Sequence, residues 1–274
     1  VSVIELAVGW TDNAATTVLV GGLVFAALVE VPGASGRRCL RAAAALFAAA
    51  LVLEIVANTV RMHRVSGIGG ETLLADVLEM KWTRWWALRG LAFVVLWMGI
   101  GRARPRWGFL AAVGIASLLA RSLQGHAGAH GLFPAMMDWT HLSAAAVWVG
   151  GLVQLAVHPS IPATLAARAS RMFTLALLFL VVAGVCGAAL HVSALEQLVV
   201  APWGRVLLGK ITLALAAILL GATNHYRRVP ALVCGKADGK AVTRVVRVEV
   251  AVLAVVLLLS AVLGSLPMPH ATAP

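Results

Sequence analysis

Imidazole nitrogen and thioether sulfur are copper ligands, and thioether in particular selects the soft cuprous ion. The chain has 8 His and 7 Met, and they are unevenly placed. His63, His126, His130, His141, His191 and His270 all fall toward one end of its apolar stretches, as do Met62, Met80, Met136, Met137 and Met268. The densest patch runs Gly125-His126-Ala127-Gly128-Ala129-His130-Gly131 and then Met136-Met137-Asp138-Trp139-Thr140-His141. Such ligands on one side of a membrane point to copper handling at its surface.

Within the patch, small residues between His126 and His130 let the backbone fold tightly around an ion. A helix continued through this loop would place His126 and His130 one turn apart on one face. Asp138, His141, Ala145, Trp148 and Leu152 follow a helical stripe. Asp138 could ligate, or hold the second nitrogen of a ligand histidine and fix its tautomer. It could equally cap the following helix, accepting from free amide donors there. Gly184, Gly187, Ala188 and His191 share another helical face. Small residues let a second helix come close, so His191 could reach the same site. Cys186 lies on a different face and reads as packing.

Three further polar groups sit inside apolar stretches, where polar side chains are rare and call for a function and a partner. Glu54 and Asn58 share a face of one stretch, and Lys210 lies within another. At 1.5 Å per residue both Glu54 and Lys210 fall roughly 10 Å below the outer surface. They could form a buried pair, or Glu54 could line an ion path. Arg89 and Arg121 lie near enough to the end to snorkel.

The elements that position these residues follow from composition. Hydrophobic residues make up 61% and charged residues 12% of the 274, which excludes an ordinary soluble domain. Eight stretches have about the 17–25 residues a spanning helix needs: 10–31, 40–61, 83–101, 107–123, 139–157, 172–192, 205–226 and 245–266. The expected fold is all-α, a single domain over 1–274 made of an eight-helix transmembrane bundle. Only the connection 62–82 is long. Leu73, Leu74, Val77 and Leu78 recur in it at helical spacing, which predicts a short helix on the outer interface. Connection 227–244 holds Pro230, Gly235 and Gly239 and reads as a mobile loop.

The net charge of +11 marks topology rather than nucleic-acid binding. Of the 22 Lys and Arg, 14 lie in alternate connections: Arg37, Arg38 and Arg41; Arg102, Arg104 and Arg106; Arg168 and Arg171; Arg227, Arg228, Lys236, Lys240, Arg244 and Arg247. The positive-inside rule makes these cytoplasmic. Both termini and the His/Met-rich end are then periplasmic. The 3 Cys (Cys39, Cys186, Cys234) form no CxxC or disulfide framework.

Two blocks carry a family resemblance. His141-Leu142 through Trp148-Val149-Gly150-Gly151-Leu152, preceded by Gly125-His126, resembles the copper resistance protein D (CopD) family. Pro202-Trp203-Gly204-Arg205-Val206-Leu207-Leu208-Gly209-Lys210, with Asn224 and Pro230, resembles that family's second block, although Trp203-Gly204 stands where Tyr-Gly is usual. Together they cover about 120–232. The resemblance implies an eight-helix bacterial inner-membrane protein, multi-pass and lipid-embedded, that moves or hands over copper. It also implies a periplasmic partner of the CopC type. On this reading the chain is a permease and not an enzyme. His126, His130, Met136, Met137 and His141 would capture the copper ion, with Asp138 and His191 as further ligands. Two alternatives stay open. One is a membrane b-type cytochrome with axial histidines, against which stand the methionines and the lack of paired mid-helix histidines. The other is a copper-loading or assembly factor that binds the ion without translocating it.

Overall fold

A computed structural model describes residues 3–66, 71–191 and 196–266. The described residues are helical, with no strand among them. Eight helices have 18 or more residues: α1 Val3–Leu28, α2 Ala34–Ser66, α3 Lys81–Ile100, α4 Trp107–Gln124, α5 Leu132–Ala156, α6 Ala163–His191, α7 Pro202–Thr223 and α8 Gly239–Ser265. Six of them, α1, α2, α4, α6, α7 and α8, are long and apolar enough to cross a membrane. The other two carry more polar residues: Lys81, Arg84 and Arg89 in α3, and Asp138, His141 and Gln154 in α5.

The helices run alternately up and down, joined by short turns at 29–33, 101–106, 157–162 and 234–238 on the basic end. The expected short helix in the long connection is Glu71–Glu79. Connection 227–244 is not the loop expected of it. One π-helical turn, Asn224–Arg228, extends α7, the helix Val229–Val233 follows, and α8 has begun by Gly239. Glycine and proline do not break the chain here because each sits at a helix end. Pro230 is in the first turn of its helix, where its missing N–H is not needed. Gly239 opens α8 behind the Asp238 cap, whose carboxylate accepts from Lys240 N at 3.0 Å.

α1 and α5 form the centre. α1 packs on α2, α4, α5 and α8, while α5 packs on α1, α4, α6 and α8. The α1 apolar window is 67% buried, against 11% for those of α6 and α7. Leucine, valine and phenylalanine side chains such as Val52, Leu88, Leu91, Phe109, Leu178 and Leu219 point outward. An apolar belt of this extent is a lipid-facing surface rather than a water-facing one.

The α1–α5 crossing rests on two glycines. A β-carbon on Gly21 would strike the Ala146 carbonyl, and one on Gly150 would strike the Thr17 carbonyl and the Gly21 backbone. Thr17 and Gly21, and Ala146 and Gly150, are each four residues apart. This is the small-residue spacing that lets two membrane helices touch backbone to backbone. The next residue, Gly151, turns to α6, where the Phe173 ring and Met172 lie against it. Gly150→Val therefore has no room to repack. It is expected to destabilise the protein by about 1–3 kcal/mol or more, measured as a lowered unfolding midpoint in detergent. An unchanged midpoint would show that the helices can separate without loss.

Candidate functional site

α5 starts seven residues earlier than its apolar run begins. Gly131, at φ 114, supplies the left-handed turn that reverses the chain after the short helix His126–Ala129. Only glycine adopts that conformation readily. Met136, Met137, Asp138 and His141 thus all ride on the first three turns of α5. Asp138 is the seventh residue of the helix, which removes the capping role open to it from sequence. It shares a face with His141, and Lys210 of α7 lies within electrostatic reach of both.

His141 is half-buried, with Nδ1 3.3 Å from the Leu180 carbonyl of α6. A carbonyl only accepts, so Nδ1 carries the proton and Nε2 is left with its lone pair. That is the tautomer a metal ligand needs. Gly184 gives the ring its space, since a β-carbon there would lie 3.3 Å from the imidazole. Of the small-residue face of α6, Gly184 lies against the α5 histidine, whereas a β-carbon on Gly187 would meet nothing within 4 Å.

The rest of the expected ligand set is more scattered. His130 is exposed, and Met136 and Met137 are half-buried. The side chains of His126 and His191 lie outside the described residues, as does all of His270. Among the described residues, no three His, Cys, Asp or Glu side chains gather around a point that could hold a metal. The structure brings together Asp138, His141 and Lys210, with Lys210 near enough to act electrostatically on the other two.

Glu54 and Lys210 are not partners. Glu54 receives two hydrogen bonds from Arg89 of α3, at 3.0 and 3.1 Å. Asn58 donates to the Glu54 main-chain carbonyl at 2.9 Å, so it satisfies its own helix rather than the carboxylate. Arg89 does not snorkel either: its side chain is 1% exposed. It binds Asp12 of α1 at 2.5 Å and Gln124 of α4 at 3.1 Å, and its guanidinium lies 5.3 Å from the centre of the Phe47 ring. Arg121 joins the group, 2.9 Å from Asp12 and hydrogen-bonded to Asn13. Two acids and two arginines from four helices therefore form one charge-balanced network. Asp12 gave no sequence signal beyond being an acid in an otherwise apolar helix.

A second polar group lies deeper, at the basic end. Glu249 of α8 is 1% exposed and accepts hydrogen bonds from Trp148 of α5 and Asn224 of the π-turn. His225 Nδ1 is 2.5 Å from the Ser170 hydroxyl of α6. All five residues line a cavity of about 280 Å³ between α5, α6, α7 and α8.

Residues 163–263 match the family model of copper resistance protein D. No curated protein and no solved structure matches the chain. The matched segment holds α6, α7 and α8, so it contains the Pro202–Lys210 block, Asn224 and Pro230 and extends through Glu249. It leaves the His141–Leu152 block on its N-terminal side. The match therefore supports the copper resistance protein D resemblance through its second block and shifts its extent toward the C-terminus. In space the two blocks do meet, because Trp148 of the first and Asn224 of the second share the Glu249 carboxylate.

The ionic network yields a direct test. Arg89→Met leaves Asp12 and Glu54 buried without their shared counter-charge, and breaking such a group is expected to destabilise by about 3–5 kcal/mol. Adding Asp12→Asn and Glu54→Gln should restore most of it, whereas Lys210→Met added to Arg89→Met should restore none. Unfolding midpoints of the purified variants in detergent decide between a network centred on Arg89 and one that includes Lys210.

Proposed function

We propose that this chain is a copper-handling protein of the bacterial inner membrane that moves copper across, or hands it over at, the periplasmic face. The match of α6 to α8 with copper resistance protein D carries the reading. The proposal includes eight membrane spans with both termini periplasmic. α3 and α5 would cross because the bundle shields their polar residues: Arg89 is enclosed by Asp12, Glu54 and Gln124, and His141 lies against α6. The 14 basic residues of the alternate connections would hold the opposite end in the cytoplasm.

In this proposal copper is the cargo and the chain is not an enzyme. His141 is its first fixed ligand, held by a helix and presenting Nε2. The flanking His126, His130, Met136, Met137 and His191 would pass the ion to it, and a periplasmic CopC-type protein is the expected donor or acceptor. Asp138 lies within electrostatic reach of Lys210, so a cation that it ligates would compete with that ammonium. The Lys210 charge would then relocate as a cation arrives, keeping the buried group close to neutral.

Topology can be tested apart from transport. A reporter fused after Pro274 should be active only in the periplasm, and one inserted near Asp238 only in the cytoplasm. The reverse pattern would move the histidine-rich end to the wrong side for periplasmic capture.

Transport is tested in proteoliposomes that contain this protein alone. Copper should cross only when the chain is present. His141→Ala should lower its affinity for copper more than His130→Ala, because His130 is exposed on a turn. Met136→Leu and Met137→Leu keep side-chain volume and remove sulfur, so they should weaken cuprous binding more than cupric binding. Unchanged copper binding in a combined His126, His130 and His141 variant would remove the periplasmic capture site.

A further inference from the structure

Three features converge on the inner cavity. The first is an unmatched acceptor. Asn224 is 8% exposed, and its amide nitrogen serves Glu249 while its Oδ1 has no partner among the described residues. A buried polar atom left unpaired is unfavourable and calls for an absent partner. The second is the charge. Glu249 is fully enclosed with two neutral donors, Trp148 and Asn224, and no salt bridge among the described residues. Gly221 makes room for it, since a β-carbon there would sit 3.0 Å from Oε1.

The third feature is the backbone. The Val229 N–H bonds the Asn224 carbonyl five residues back, giving one π-helical turn in place of α-helix. Pro230 lacks the N–H that would bond Tyr226 and crowds that carbonyl, which accounts for the wider turn. Such turns are frequent at functional sites because they re-aim adjacent side chains. Here Asn224 and His225, successive residues of the turn, both line the cavity. The Ser170 hydroxyl can accept from a protonated His225 Nδ1, and that tautomer leaves the lone pair on Nε2.

Every unfilled position here is an acceptor or lone pair: the Glu249 carboxylate, Asn224 Oδ1 and His225 Nε2. A cation meets all three, whereas an anion would be repelled by Glu249. We propose that Glu249, Asn224 and His225 form a cation site in the inner half of the bundle, with the mixed oxygen and nitrogen donors that suit a divalent first-row metal. Among those metals copper(II) binds such donors most tightly. Trp148 and Ser170 are positioning residues, orienting the carboxylate and the imidazole. Phe173, Ile218 and Val246 form apolar walls that exclude water. α6 packs on α5 and on Val229–Val233, and α7 packs on α8. Naming copper as the natural occupant rests on the proposed transport function, while the existence of the site does not.

The test is copper(II) binding to the full chain in detergent, read by electron paramagnetic resonance and by competition with a chelator. A combined His126→Ala, His130→Ala, His141→Ala and His191→Ala variant serves as the background so that the periplasmic-side histidines do not contribute. One bound copper with nitrogen coupling from a single imidazole is expected. Adding Glu249→Gln, close to isosteric, should weaken it by at least the roughly tenfold that even outer-shell partners of a metal contribute. Adding His225→Ala should abolish the nitrogen coupling, and this residue is only half-buried, so folding should survive. Copper binding that is the same with and without these two changes, or no copper bound at all in that background, overturns the site. Absence of copper uptake by the unaltered chain, with the site's binding intact, overturns the transport reading and leaves the site standing.

Discussion

The backbone contact between Gly21 and Gly150 sets the positions of the other polar features. Two membrane helices in van der Waals contact at the backbone cannot rotate or slide without collision, and α1 and α5 are each packed on three further long helices. Fixing α1 fixes Asp12, to which the arginines of α3 and α4 are drawn. Fixing α5 fixes His141 toward α6 and Trp148 toward α8. In lipid, apolar burial supplies little drive for helices to associate, so close packing and interhelical hydrogen bonds must do it. The chain uses the first at the centre and the second on both sides.

The polar groups divide by half of the chain. α1 to α4 hold the charge-balanced network of Asp12, Glu54, Arg89 and Arg121. It is closed, with acids and bases matched, and it acts as a clamp among four helices whose removal leaves buried charge. α5 to α8 hold the incomplete groups: a histidine with an open nitrogen, a lysine shared with Asp138, and a glutamate with no cation. Completed charge belongs to structure, and incomplete charge is where a mobile ion can be accommodated. The copper resistance protein D match falls in this second half.

Helix positions were legible because about 20 consecutive apolar residues leave few other outcomes in a membrane protein. Helix ends were not. The α5 start was read at 139 because Met136, Met137 and Asp138 look like loop, yet Gly131 is where the chain turns. The depths of Glu54 and Lys210 were legible too, but their pairing was not. Depth follows from counting along one helix, whereas partnership depends on which helices are neighbours. α2 lies beside α1 and α3, and α7 lies beside α8. Asp12 went unread as a site because one acid early in a span carries no spacing pattern. Glu249 went unread for the same reason, being a lone acid in its span. The two family-like blocks were visible separately, but that they meet at Glu249 depends on tertiary packing.

One sequence pattern does connect the two incomplete groups. Asp138, His141, Ala145, Trp148 and Leu152 make one stripe down α5, with Asp138 and His141 near the start of the helix and Trp148 and Leu152 on the cavity toward the basic end. His141 and Trp148 are seven residues apart, which is roughly 10 Å along the helix and nearly the same angular position. The opposing face of α6 runs in parallel, with Gly184 and Leu180 beside the histidine and Leu177, Phe173 and Ser170 on the cavity. Between the two polar ends the stripe offers only Ala145, a side chain with no ligand atom. An ion held at His141 would therefore meet an apolar step before the next donors. A bare charge crosses such a step unfavourably, so the α5–α6 seam separates two positions rather than forming an open channel. Gly151 lies close against Phe173 in that seam, one residue from the glycine that fixes α5 on α1. A change in how α6 sits on α5 would alter the step between the histidine and the glutamate, while the α1–α5 contact and the closed arginine network held the rest of the bundle in place.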